Sequence, residues 1–146
     1  MTTILALGNF EQARRKAFWR DWFSRLTGKQ NKLLSFDDLS PNLLYARRRY
    51  LGQQSVLLDQ IIGSEGRYRE FDRAFYPRRS YVKERWVSID KAYYTEVFLL
   101  PIELLKIGQS YFVRDGNHRV SVARSRGQEF IDAHVTEIEV TDDSPI

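Results

Sequence analysis

Cysteine is absent from the chain. That excludes a disulfide framework, a thiolate metal site and a cysteine nucleophile. It also suits a reducing compartment, so a cytoplasmic location is expected. Histidine occurs twice, as His118 and His134. The two fall in different predicted elements, with no second pair of ligands at a recognised spacing, so no metal site is expected. Ser121 lies near His118, but the nucleophile-elbow pattern that would make a Ser–His–Asp site is missing. No apolar run approaches the ~20 residues of a membrane span. The opening residues Met1 to Gly8 lack the length and basic flank of a signal peptide. No membrane partner is expected on these grounds.

What is present is a core and an uneven charge. The 146 residues include 14% aromatics, enough to build one domain. Residues 1–85 carry 17 Lys/Arg against 9 Asp/Glu, net +8, whereas residues 86–146 carry 6 against 10, net −4. Arginine supplies 17 of the 23 basic side chains, and its planar fork of donors suits phosphate and carboxylate. A basic front half can meet a nucleic acid, or it can be a solvated surface paired with the acidic back half.

Residues 9–27 read as a helix. Asn9 stands as its N-cap, and Gly28 as its stop. Trp19, Trp22, Phe23 and Leu26 form an aromatic stripe assigned to the core or to a helix–helix contact, with Phe10, Ala13 and Ala17 extending it. A membrane-surface helix is the lesser reading, because the aromatics are needed for burial. Ser40-Pro41 then opens a second, long helix running to Ile62. Leu43, Leu44, Tyr50, Leu51, Leu57, Leu58 and Ile61 make a seam at seven-residue spacing, with Gly52 as its weak point and Gly63 as its end. That seam can pack on the first helix, on the chain's own core, or on a second copy as a homodimer, and the homodimer is the leading expectation. Gly63 to Phe75 is a loop entering an irregular stretch, with Phe71 and Phe75 assigned to the core. Arg67, Arg69, Arg73, Arg78 and Arg79 alternate with aromatics there and are the candidate nucleic-acid contacts. Trp86 to Ile89 reads as a strand, with Asp90 capping a short helical turn. Residues 97–107 form an apolar β-rich run broken by Pro101. Tyr111–Val113 is a strand, Asp115-Gly116 a tight turn, His118 to Arg126 a helix stopped by Gly127, and 131–140 an alternating strand. The tail Thr141 to Ile146 is expected to fray.

One constellation carries chemistry: Asp115-Gly116-Asn117-His118-Arg119. A strand, a glycine turn and a helix start arrive together. Free N–H groups at a helix start favour an anion, and Arg119 can grip phosphate oxygens. Asp115 can orient His118 or Arg119, or meet Mg²⁺ carried by a nucleotide. The competing reading is an Asp-Gly turn capped by Asn117, with His118 buried among backbone groups.

The run Asp115-Gly116-Asn117-His118-Arg119, followed by Ala123, resembles the signature of the ParB/sulfiredoxin-like superfamily, a Gly-x-x-Arg turn between strand and helix. Leu100-Pro101-Ile102 and Ile131–Val135 fit the same layout, so the resemblance spans about residues 86–140. It implies an α+β fold and a nucleotide site, ATP or CTP with Mg²⁺, at Asp115–Arg119. Asn117 stands where sulfiredoxins carry cysteine, which excludes sulfinic-acid repair. The glutamate of the ParB Gly-Glu-Arg-Arg motif is missing too, and no helix-turn-helix follows. The expected organisation is a helical, Arg-rich region over 1–85 and a ParB/sulfiredoxin-like core over 86–146, forming one compact unit. The leading expectation is a nucleotide- or phosphate-binding protein with a DNA-associated or regulatory role. The alternatives are a nucleotide-dependent phosphotransferase or nuclease, and a dimeric partner module.

Overall fold

Alternation over Tyr111-Phe112-Val113 sets the middle of the molecule. Tyr111 and Val113 join one apolar cluster while Phe112 joins another on the opposite side of the same strand. The computed structural model describes residues 1–39, 46–95 and 97–139. Its elements are α1 (Thr2–Thr27), β1 (Leu34–Ser35), β2 (Arg48–Leu57), β3 (Ile61–Ser64), α2 (Lys83–Ala92), β4 (Ile102–Ile107), β5 (Ser110–Asp115), α3 (Asn117–Ser125) and β6 (Phe130–Ile138), with single 3-10 turns between some of them.

The strands form one six-stranded mixed sheet in the order β1-β3-β5-β4-β6-β2. β1/β3, β3/β5 and β4/β6 run parallel, whereas β4/β5 and β2/β6 run antiparallel. The α+β class expected from the sequence holds. The main core lies between one sheet face and α3, where Leu104, Val113, Ala133 and Val135 meet Val120 and Ala123. Phe71 and Phe75 complete it at 0% exposure, as their assignment to the core required. Behind α3, Val122 meets Trp86 and Val87 of α2, and these meet Ala6, Phe10 and Ala13 of α1. The other sheet face is covered by a smaller cluster around Phe36, Phe112 and Ile138.

Several expectations are corrected. The long second helix is not formed over 48–62, where β2, a 3-10 turn and β3 stand instead. Gly52 explains why: its φ of +88° is foreign to a helix, and it sits at the bulge where the β2/β6 register shifts. Pairing with β6 along the length of β2 outweighs a coincidental seven-residue spacing. The seam, and with it the dimer argument, loses its helix; Ser40, Pro41, Leu43 and Leu44 lie outside the described residues. So do Val140 and the tail.

Trp86 to Ile89 is helical, not a strand. Trp86, Val87, Asp90 and Ala92 are the buried positions of α2, with Val82 buried just before it, and the local β propensity hid the helical spacing of Val82, Trp86 and Asp90. Asp90 caps nothing: inside α2 and fully buried, it accepts from Arg126 Nη1 at 2.9 Å and Asn9 Nδ2 at 2.8 Å. Asn9 is no N-cap either, because α1 begins at Thr2. The stop at Gly28 holds, with φ +73°. The aromatic stripe of α1 is exposed, since the core face of that helix is made by Ala6, Phe10, Ala13 and Ala17. The boundary at 85/86 falls inside α2, and three strands of the sheet come from each side of it.

Candidate anion-binding site

β5 delivers the site. Its last residue, Asp115, is followed by Gly116 with φ +112°, and α3 starts at Asn117. A side chain at 116 would strain that backbone and meet Ile102 Cβ at 2.8 Å, so glycine is required twice over. No side chain caps α3, so the N–H groups of its first turn keep their donors free of helical partners. β3 lies beside β5 and ends at Ser64, whose Oγ donates to Asn117 Oδ1 at 2.8 Å and accepts from Gly66 N–H at 3.2 Å. This bond fixes the chain after β3 against the start of α3.

These elements enclose a cavity of about 160 Å³ lined by Gly66, Arg67, Arg85, Ile89 and the run Arg114 to Arg119. Four arginines and one carboxylate residue, Asp115, therefore line it. Arg67 is paired with Glu70 at 3.0 Å, and Arg119 with Asp115 at 3.1 Å. Arg85 and Arg114 are exposed and form no salt bridge among the described residues. A groove of about 580 Å³ between the start of α1 and α2 is larger, but Leu7, Tyr81 and Val87 make it apolar, and it gathers no such charge.

His118 reports the field of the cavity. It is 5% exposed, and its ring meets Phe71 edge-on at 5.4 Å. Burial first, then Arg85 and Arg67, pull its pKa from 6.5 down to about 4. The imidazole is neutral at pH 7. Arg119 is less free than its motif position suggests. Its Nη1 donates to the carbonyls of Leu100 at 2.7 Å and Pro101 at 3.1 Å, and its Nη2 donates to Asp115. Of its five N–H donors, Nε–H and one on Nη2 are left for a ligand.

All five residues of the predicted run line the cavity. Of the candidate nucleic-acid contacts, Arg67 joins them, whereas the other four lie elsewhere. Arg73 donates to the carbonyl of Ile62, and Arg78 to Asp21 and the carbonyl of Asn31. Arg69 packs over the Tyr68 ring at 5.5 Å, and Arg79 lines a separate cavity with Arg25 and Lys29. Arg85 and Arg114 were missed by sequence reasoning. Arg114 stood two places before Gly116 in a strand whose alternation turned it outward. Arg85 carried no signal, because its helix read as a strand. Among the nearby carboxylates, Asp115 lines the cavity, whereas Glu70 is held by Arg67. Asp72 is buried apart with Arg20 at 3.0 Å and Asn31 at 3.3 Å. Among the described residues, no cluster of three His, Cys, Asp or Glu side chains is placed to hold a metal.

No protein-family model and no curated protein matches the chain. Among solved structures, it is similar to the crystal structure of sulfiredoxin from Arabidopsis thaliana, at 22% identity and a TM-score of 0.38, over 57% of this chain and 82% of that one.

Proposed function

We propose that the cavity at the start of α3 binds the phosphate groups of a nucleotide. The observation that carries the reading is that Arg67, Arg85 and the pair Arg114 and Arg119, from three separate places in the chain, line one cavity at an uncapped helix start. Helix N–H groups and guanidinium donors select the same ligand charge, and arginine matches phosphate geometry. A neutral His118 adds a ring donor or acceptor at the wall. The resemblance of residues 115–119 to the ParB/sulfiredoxin-like signature points the same way. At about 160 Å³ the cavity suits phosphates and leaves a base and sugar outside. Asp115 is engaged by Arg119, so Mg²⁺ would enter on the phosphates of the ligand.

Calorimetry with pyrophosphate, ATP and CTP, each with and without Mg²⁺, tests the reading. Arg85→Ala and Arg114→Ala are the informative variants, because both side chains are exposed and neither forms a salt bridge among the described residues. Each should weaken binding about tenfold or more, at ~1.5–3 kcal/mol per charged hydrogen bond, with the thermal midpoint unchanged. Absent binding in the parent chain, or binding in both variants unchanged from the parent, refutes it. Asp115 favours a second reading, phosphoryl transfer or hydrolysis, in which its carboxylate would have to leave Arg119 to act as a base. Release of phosphate from ATP that Asp115→Asn abolishes while binding persists would decide for that reading.

A further inference from the structure

α1 has two opposed faces. At ~100° per residue, Ala6, Phe10, Ala13 and Ala17 share a narrow arc, and Phe18, Trp19, Trp22, Phe23 and Leu26 centre about 180° away. The first set is at most 1% exposed, and the second is between 45% and 65% exposed. The outward rings touch edge to face in sequence, with centroids 5.5 Å apart for Phe18–Trp19, 5.9 Å for Trp19–Trp22 and 5.5 Å for Trp22–Phe23. They make a continuous apolar strip along a helix that lies on the domain rather than in it.

The surroundings of the strip are cationic. Residues 12–32 hold seven Lys/Arg and a single acid, Asp21, which Arg78 neutralises at 2.6 Å. Arg14 and Arg20 are turned inward, to the carbonyl of Arg78 and to Asp72. Arg15, Lys16, Arg25, Lys29 and Lys32 remain exposed along α1 and just past its end. A second copy of the chain would set these cations against their own kind. Single-stranded nucleic acid stacks best where cations alternate with rings, whereas here they border an unbroken strip.

We propose that this face of α1 is a membrane-interface surface, selective for anionic phospholipid. The aromatic strip enters the headgroup–acyl boundary, and the bordering Lys and Arg meet the lipid phosphates. Among the described residues, no helix is long and apolar enough to cross a membrane. Lying on a surface asks instead for an exposed apolar strip with cations nearby, which α1 provides. The sequence-based assignment of these aromatics to the core was the ground for setting this reading aside, and their exposure removes it.

The full chain is mixed with phosphatidylcholine vesicles, with and without phosphatidylserine, and followed by flotation and tryptophan emission. Trp19 and Trp22 should shift to the blue on anionic vesicles, whereas Trp86, at 0% exposure, should not respond. Trp19→Ser/Trp22→Ser should abolish flotation without moving the urea midpoint, because both side chains are outside the core. Arg25→Gln/Lys29→Gln should weaken it about 25-fold, at roughly fivefold per cation near the surface. The proposal fails if anionic vesicles do not carry the chain at low salt, or if the serine variant still floats. It fails equally if the strip proves to hold a second copy, seen as a doubled mass that the variant halves without vesicle binding. Emission quenched by a single-stranded oligonucleotide but not altered by vesicles also overturns it.

Discussion

Replacing Arg119 by Gln should loosen the chain before β4 as well as the cavity at the start of α3. The guanidinium ties the carbonyls of Leu100 and Pro101 to the start of α3, and its side chain is 18% exposed. Hydrogen bonds from a charged donor contribute ~1.5–3 kcal/mol when buried. The Leu100 bond lies at the surface and the Pro101 bond is half-buried, so the pair together amounts to about 2 kcal/mol. The ion pair with the 61%-exposed Asp115 adds at most ~0.5 kcal/mol. A loss of about 2–2.5 kcal/mol is expected, or ~4–10 °C in thermal midpoint for a chain of this size. Urea titration with an unchanged slope measures it. Amide exchange should locate it, with faster exchange over 97–101 and α1 unaffected. A loss under ~0.5 kcal/mol, or exchange unchanged over 97–101, refutes the strap that Arg119 is argued to form. Weaker phosphate binding in Arg119→Gln alone would not then be evidence for direct contact, which is why Arg85 and Arg114 carry that test.

His118 should make the fold acid-sensitive. Its pKa is held near 4 in the folded chain against 6.5 when unfolded, so stability is full above pH 6.5 and falls as pH drops toward 4. The loss is on the order of 2 kcal/mol, reduced from the full shift because the pocket opens to water; urea midpoints at pH 7 and pH 4.5 should converge in His118→Gln. Trp86→Phe should cost about 2–3 kcal/mol, because it empties space beside Phe10 and strands the Ser121 hydroxyl that Nε1 now meets at 2.9 Å. Chemical denaturation checks this, and a loss below ~1 kcal/mol would mean that the junction of α1, α2 and α3 repacks freely.

The segment from β5 through α3 to β6 was legible because its signals are local. Strand alternation, a glycine turn, a helical period ended by Gly127 and a second alternation follow one another within 29 residues, from Ser110 to Ile138. β2 was not legible, because its partner β6 is remote in the chain and Gly52 marks a bulge that a helical reading treats as a mere weakness. α2 was hidden by β-prone residues whose burial spacing emerges only once α1 and α3 flank it. The pocket was half legible for the same reason. Residues 115–119 announce themselves, whereas Arg85 is carried in by a misread helix. In α1, the sequence showed where apolar residues recur but not which of two opposed faces the domain would take. Three alanines and one phenylalanine took it, because small side chains let the helix approach closely.

The strand order has a consequence for birth on the ribosome. β2 has β6 as its partner in the sheet, and Leu57 is made 73 residues before Phe130. At about 5–20 residues per second, β2 waits on the order of 4–15 s with both hydrogen-bonding edges unclaimed. An unclaimed edge is where nascent chains stick to one another. Arg48, Arg49, Gln53 and Gln54 give this strand a polar, largely water-facing composition that it keeps in the finished sheet. That composition lets β2 stay soluble until its partner is synthesised.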